Sequence, residues 1–451
     1  MKKIKVGAFG ASRGMVLMHS MAVLPEVELV AVCDRNVAGK EKVRKLGEAF
    51  GMEITAYDDF DSFLEHDMDA VILCNYATEH VPYALRCLES GRHVMSEVPV
   101  CENIAQAIEL IEAVERTGKV YTMAENYCYM DDIFEMRRRY RRGDIGEVVY
   151  AEGAYIHDWS AVYGLGTAGR ENHWMNHMYS TFYGTHAVNP IFFITGHRPV
   201  KISGFETQTG GHLPPSLGYK GGGAGIQMIT MDNGSVLRAI NGGLKREPWE
   251  NNLNYILYGT KGCMETHTRL DHDISVYREG DKFCQGETET YYPDRFIATA
   301  QAENYLKSGR SMPELFSKGT IASDFHRCGD FYPGYFFAQK ILGREEGEYA
   351  VDIYSAVDCN LCTILAYRSI LNGGTPIDIP DLRDPAQRDK YRNDKACTTK
   401  TVAGDQWIPA NPHGEPDIPP EVYAYAKEVS MSGGPAEHGY GEDRAGHKIN
   451  A

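Results

Sequence analysis

Ile4-Lys5-Val6-Gly7-Ala8-Phe9-Gly10-Ala11-Ser12-Arg13-Gly14 decides the fold of the N-terminal part of the chain. The apolar run Ile4–Phe9 reads as a strand and Gly14–Leu24 as a helix, with a turn of small residues between them. Small residues there let the backbone approach a pyrophosphate at a helix N-terminus, where free N–H groups and the helix dipole favour negative charge. A second strand, Val27–Cys33, ends on Asp34, 24 residues after Gly10. A carboxylate at that place accepts hydrogen bonds from an adenosine ribose 2′-hydroxyl and repels a 2′-phosphate, so the turn predicts NAD rather than NADP. Ser12 replaces the middle glycine of the usual pattern, and Arg35 is a cationic neighbour of the carboxylate. Gly10, Ser12, Arg13, Gly14, Asp34 and Arg35 are the cofactor-binding candidates of this turn. A nucleotide fold with an empty turn is the structural alternative.

Outward from the turn, strand and helix alternate: helix Lys40–Phe50, strand Ala70–Cys74, helix Val81–Ser90, strand His93–Met95, helix Ile104–Thr117, strand Val120–Ala124. Strands apolar on both faces and joined by helices predict a parallel sheet with right-handed crossovers. Past Asp144 the rhythm changes. Glu147–Ile156, Val200–Thr207, Ile226–Met231, Ser235–Gly242 and Asn254–Tyr258 are strand-like runs parted by Gly-rich turns, the pattern of a mostly antiparallel sheet. Pro190–Thr195 and Val351–Leu371 read as helices that cover one of its faces. The expected class is α/β: a Rossmann dinucleotide-binding domain over 1–124, then an α+β substrate and oligomerisation domain with an open, mostly antiparallel sheet over 125–380. An irregular C-terminal arm, proline-rich from Pro409, fills 381–451. The basic run Arg137–Arg142 reads as the solvated face of an amphipathic helix rather than as an anion site.

The 451 residues carry 46 Lys+Arg against 62 Asp+Glu, a net charge of −16. That sign repels phosphate backbones and anionic membrane surfaces and argues against both as partners. No apolar run reaches the roughly 20 residues of a membrane span, and no export signal is recognisable, so a cytoplasmic protein is expected. The 11 cysteines show no framework spacing, which predicts reduced thiols; Cys359 and Cys362 lie in an apolar helical stretch and read as core residues.

Cys74-Asn75-Tyr76-Ala77-Thr78-Glu79-His80 after a strand, and Ser90-Gly91-Arg92-His93-Val94-Met95-Ser96-Glu97-Val98-Pro99, resemble the glucose-fructose oxidoreductase / inositol dehydrogenase (Gfo/Idh/MocA) family over roughly residues 4 to 375. In the family's redox members the last motif is Glu-Lys-Pro and its lysine is the general acid/base; here Val98 stands in that place. The family's Asp-x-Gly-x-His is represented by Phe182-Tyr183-Gly184-Thr185-His186, which keeps the histidine and lacks the aspartate. Both departures match one branch, the NAD-dependent glycoside hydrolases of family 109 (α-N-acetylgalactosaminidase type). The chain resembles that branch in Glu97-Val98-Pro99, Glu125-Asn126-Tyr127-Cys128-Tyr129, Gly153-Ala154-Tyr155-Ile156-His157-Asp158 and Tyr183-Gly184-Thr185-His186. Gly184 stands where proline is expected, and Arg170–His177 matches only loosely.

The resemblance implies a sugar pocket formed by Glu125, Tyr155, His157, Tyr183 and His186, with Asn75, Tyr76, His80, Glu97, Val98, Asn126 and Trp174 on the cofactor side. It implies hydrolysis of a small glycoside with NAD retained: oxidation at C3, loss of the C2 proton, elimination of the C1 aglycone, water addition and re-reduction. With lysine absent, His186 is the candidate base at the C3 hydroxyl, since imidazole titrates near neutrality. Tyr155 is the candidate at C2–H, while Tyr183 and His157 orient the sugar or assist the leaving group. His186 and Tyr183 could exchange roles on sequence grounds. Glu97 is expected to hold the nicotinamide loop and Pro99 to follow a cis peptide. His173 and His177, spaced i, i+4, are with His186 a metal-ligand alternative, although no metal is expected; Asp324 and His326 are further pocket candidates. A net sugar or glycoside 3-dehydrogenase and a non-catalytic NAD/sugar sensor are the competing functions. The family's face-to-face sheet pairing implies a homo-oligomer, dimer or tetramer.

Overall fold

A computed structural model describes residues 3–157, 166–207, 218–244, 252–267, 273–280, 285–293 and 329–431. Strands β1 (Ile4–Phe9), β2 (Val27–Cys33), β3 (Thr55–Tyr57), β4 (Ala70–Leu73), β5 (His93–Ser96) and β6 (Tyr121–Met123) form a parallel sheet in the order β3-β2-β1-β4-β5-β6. Ala70, Val71, Ile72 and Leu73 are each 0% exposed, and each such valine, isoleucine or leucine stabilises the fold by ~1.5–3 kcal/mol on leaving water. Helices α1 (Ala11–Ala22), α2 (Val37–Ala49), α3 (Phe60–Leu64), α4 (His80–Glu89) and α5 (Ile104–Thr117) lie between the strands. Helix α1 starts at Ala11, ahead of the expected Gly14, because the Asp34 carboxylate from the end of β2 accepts the Ala11 N–H at 2.6 Å and caps the first turn. Asn103 caps α5, accepting the Gln106 N–H at 3.0 Å.

The second sheet has nine strands: β7 (Val148–Ile156), β8 (Pro199–Glu206), β9 (Gly225–Met231), β10 (Val236–Gly242), β11 (Asn252–Gly259), β12 (Gly262–Thr266), β13 (Ile274–Glu279), β14 (Gly286–Tyr291) and β15 (Ile377–Asp378), ordered β14-β13-β12-β11-β7-β10-β9-β8-β15. Only the β7–β10 pair is parallel among the described pairs of this sheet. Helices α6 (Asp131–Arg142), α7 (Thr185–Thr195), α8 (Tyr332–Ile341) and α9 (Ile353–Leu371) complete this half, α7 packing on β7 and β10, and α9 on β8 and β9. Gly153 sets how close α7 can come: a Cβ on it would lie 1.9 Å from the Ala187 carbonyl oxygen. That contact presses the first turn of α7 against β7. Pro190 does not end α7, because the His186 carbonyl that its missing N–H would leave unmet accepts the Tyr255 hydroxyl at 2.7 Å.

Two expectations are corrected. The C-terminal arm is not irregular over 381–431: it carries α10 (Pro385–Tyr391), α11 (Lys400–Ala403) and α12 (Pro420–Met431). Pro385 and Pro420 open helices, where a missing N–H is harmless. Arg388 and Arg392 bind Glu115 and Glu112 and hold α10 to α5. The basic run is a solvated face only in part: Arg138, Arg141 and Arg142 are exposed, but two of its arginines are drawn into the fold. Arg139 is 6% exposed and bonds Glu135, Asp144 and Glu289, and Arg137 lies 4.4 Å over the Phe193 ring. The Val98–Pro99 peptide is cis. Cys359 and Cys362 are fully buried, and burial pushes both thiols up, away from reactivity. Asp158, Cys284, Asp324, His326 and Pro435 lie outside the described residues.

Candidate active site

The strand order of the parallel sheet reverses between β1 and β4, and the loops after β1, β4 and β5 open there into a cavity of about 500 Å³. Ligands of open α/β sheets bind at this place, outside the carboxyl ends of the strands. Beside it lies Gly10, whose φ of 101° and lack of a side chain are both required: a Cβ would stand 2.3 Å from the Cys74 carbonyl oxygen. Gly10, Gly14, Asp34 and the exposed Arg35 shape the turn beside the cavity without lining it. Asp34 accepts two backbone N–H groups, Ala11 at 2.6 Å and Asn36 at 2.7 Å.

Ser12, Arg13 and Val98 line the floor, as do Asn75 and Tyr76 after β4. The Arg13 guanidinium is held between Glu97 and Asp330, each at 2.5 Å, and Asn126 donates to Asp330 at 3.0 Å. Glu97 therefore anchors the loop after β5 to the first turn of α1. Burial pushes His80 down, so its ring is neutral; with Nδ1 donating to the Pro99 carbonyl at 2.8 Å, Nε2 is left as an acceptor. His80 Nε2 and Asn75 Oδ1 have no hydrogen-bond partner among the described residues, and both residues line the cavity. A turn that admits no Cβ, a carboxylate at the end of β2 and two orphaned buried acceptors fit a dinucleotide's phosphates, ribose hydroxyls and carboxamide.

The opposite wall comes from the second sheet. Tyr155 and His157 stand at the end of β7, and Tyr183 and His186 at the start of α7, all four on the cavity. His186 Nδ1 bonds Glu125 Oε1 at 2.6 Å; Glu125 is 0% exposed, lies behind the imidazole rather than on the cavity, and also accepts the Tyr127 N–H at 3.3 Å. The second oxygen, Oε2, has no partner among the described residues. With Nδ1 engaged, Nε2 is the ring nitrogen available for proton transfer. The rings of Tyr127 and Tyr155 lie 4.4 and 4.7 Å from that of His186, and Tyr183 stacks at 5.9 Å. Burial, with Glu97 nearby, pushes the Tyr183 phenol up, so Tyr183 is a proton donor at neutral pH, whereas His186 has the carboxylate partner that a base needs.

His173 and Trp174 close the mouth of the cavity. Burial beside Arg170 brings His173 down to about 4, and the Arg170 guanidinium donates to the Tyr76 hydroxyl at 2.8 Å. His177 does not line the cavity and lies 3.9 Å from Glu415. Among the described residues no group of three or more His, Cys, Asp or Glu is placed to hold a metal. Tyr127 and Asp330 escaped the sequence analysis. Tyr127 lies inside a quoted motif, but Asp330 is 317 residues from the arginine it binds and carries no local signal.

Residues 4–125 match an oxidoreductase family described by its NAD-binding Rossmann fold, Gfo/Idh/MocA. A glycosyl hydrolase family 109 protein 2 and an α-N-acetylgalactosaminidase, both of Bacteroides fragilis, are each 24% identical to the chain over 400 residues, covering 82% of it and 89% of the relative. These matches support placing the chain with the Gfo/Idh/MocA family over its N-terminal domain and with relatives named glycosyl hydrolase family 109 over most of its length. A family 109 protein of Saccharopolyspora erythraea is 25% identical over 84% of the chain and 83% of its own length. The fold is that of levoglucosan dehydrogenase in complex with NADH and levoglucosan, with a TM-score of 0.65 at 16% identity, covering 84% of this chain and all of that one (100%). With an NAD-binding Rossmann domain over residues 4–125 and the dinucleotide turn in place, the chain is an NAD-dependent enzyme. No described helix is long and apolar enough to cross a membrane.

Proposed function

We propose that the chain is a glycosidase that uses retained NAD as a transient oxidant on a small glycoside. One observation carries this reading: among the described residues the cavity wall holds no lysine, Val98 occupying the lysine position of the redox relatives, and its base candidate is an imidazole held by a fully buried carboxylate. When bound, NAD supplies reversible hydride acceptance, which turns C3 into a ketone, acidifies C2–H and leaves net hydrolysis. His186 Nε2 takes the C3 hydroxyl proton, and the Glu125 carboxylate at Nδ1 stabilises the imidazolium. The Tyr155 oxygen takes the C2 proton; its ring stands edge-on to that of His186 at 4.7 Å, so the positive charge gained there favours its phenolate. Tyr183, kept protonated by burial, donates to the departing glycosidic oxygen, while His157 orients the sugar from the end of β7. Arg13, Glu97 and Asp330 hold the nicotinamide-side loop in place.

The test is a panel of aryl α- and β-glycosides in D₂O with NAD-loaded protein, following aglycone release, NADH absorbance and deuterium at C2 of the product sugar. Aglycone release with C2 deuterium and no accumulation of NADH is the expected result. NADH rising in step with a keto-sugar would make the chain a net dehydrogenase, and NAD binding without turnover across the panel would favour a sensor.

A further inference from the structure

A second cavity, of about 200 Å³, lies between the C-terminal half of α7 and the N-terminus of α9, away from the candidate active site. Its wall includes Arg137, Arg198 and Arg383. Three carboxylates face them. Asp358 accepts from Arg383 at 2.7 Å and from Arg198 at 3.4 Å, Asp352 caps α9 through the Ser355 N–H at 2.8 Å, and Glu348 stands at the exposed rim. Arg137 has no carboxylate partner among the described residues. It donates to the Phe193 carbonyl, lies between the Phe193 and Tyr349 rings, and burial pushes its guanidinium down, the direction expected for a cation lacking a counter-ion. Two further donors have no partner among the described residues: Arg198 Nε, and Nδ2 of Asn189, a side chain only 2% exposed. An unpaired buried donor costs about 1–3 kcal/mol, so a helix-interior asparagine left in this state points to something that fills the space it faces. The start of α9, a helix of 19 residues, adds N–H groups and the positive end of its dipole.

We propose that this cavity binds a phosphate group, free or carried by a small metabolite. The donors come from four elements, α6, α7, the segment entering β8 and the start of α9, a spread that suits a tetrahedral oxyanion better than a planar carboxylate. The space is too small for the dinucleotide that the larger cavity accommodates. Asn189 lies three residues beyond His186 on α7, so the two cavities share one helix.

The test uses NAD-saturated protein, so that the dinucleotide turn does not take up the probe. Inorganic phosphate and glycerol phosphate are titrated at constant ionic strength and followed by calorimetry and by thermal unfolding, with acetate as the planar control. Expected is saturable, single-site binding of a phosphate probe with a rise in Tm, and weaker or no response to acetate; the tighter of the two probes identifies the source of the group. Arg137→Met and Asn189→Leu should each weaken binding about ten- to a hundredfold, the effect of losing one hydrogen bond to a charged group. Arg137→Lys, which keeps the charge without the planar fork, should lie between wild type and Arg137→Met, and it serves as the test if Arg137→Met does not fold. No saturable binding, or binding that these variants leave unchanged, overturns the site.

Discussion

The two sides of the large cavity handle charge in opposite ways. On the parallel-sheet side the cation is neutralised in place: Arg13 sits between Glu97 and Asp330, and these pairs fix three distant segments. On the nine-stranded side aromatic rings surround one imidazole, and the carboxylate that serves it is hidden behind it. Ion pairs suit a surface that must hold a charged, flexible cofactor in one pose. A wall of rings around an imidazole–carboxylate pair suits chemistry in which protons move, because a low-dielectric surround strengthens every charge that develops.

Removing the proton acceptor should break this contrast most severely. His186→Ala is expected to lower kcat by about 10²–10⁴-fold, the usual worth of a positioned acid/base, while NAD still binds; fluorescence titration of NAD beside turnover checks both. Glu125→Gln keeps the shape and removes the charge. It should lower kcat about ten- to a hundredfold with little change in KM, the equivalent of one charge-assisted hydrogen bond, and it makes Glu125 a positioning residue rather than a reacting one. On the other side, Gly10→Ala forces φ of 101° on a residue with a Cβ and drives that atom against Cys74. The backbone strain alone is about 1–3 kcal/mol, to be read as a lower Tm together with weakened NAD binding. If Gly10→Ala left NAD affinity intact while Glu125→Gln abolished it, the assignment of the two sides would be reversed.

These differences also explain what could be read from the chain before folding. The dinucleotide turn is local: Gly10, Asp34 and the buried strand Ala70–Leu73 announce themselves within a few residues, and the structure places them as expected apart from the earlier start of α1. The Glu125–His186 pair joins residues 61 apart and was accessible only as two separate motifs. Asp330 joins Arg13 across 317 residues, which no spacing rule covers. Two arginines of α6, Arg137 and Arg139, depart from the solvated-face expectation for a related reason. Their periodicity is that of an exposed helix face, but Glu289 and Tyr291 from β14, together with Phe193 and Tyr349, cover that face, and β14 itself is a polar run without strand-like hydrophobicity.

The mouth and the rear of the second half titrate in opposite directions, which gives two smaller and separable effects on stability. Burial beside Arg170 holds His173 at about 4 in the folded chain, against an ordinary value of 6.5. As pH falls from 6.5 to 4 the unfolded chain binds a proton that the folded chain does not, so stability is lost across that window. His173→Gln should remove that acid loss, raising Tm at pH 4 by a few degrees relative to wild type. Glu206 has the reverse sign: burial raises it to about 7 from 4.5. The folded chain keeps that proton while the unfolded chain has lost it, so the contribution of Glu206 is fully present below 4.5 and disappears as pH rises to 7. Glu206→Gln should therefore leave Tm nearly unchanged at pH 4.5 and raise it slightly at pH 8, the smallest of these shifts. Between 4.5 and 6.5 the two groups oppose each other, so the wild-type curve should be flatter there than that of either single variant, and the slopes of the two variants should differ in sign.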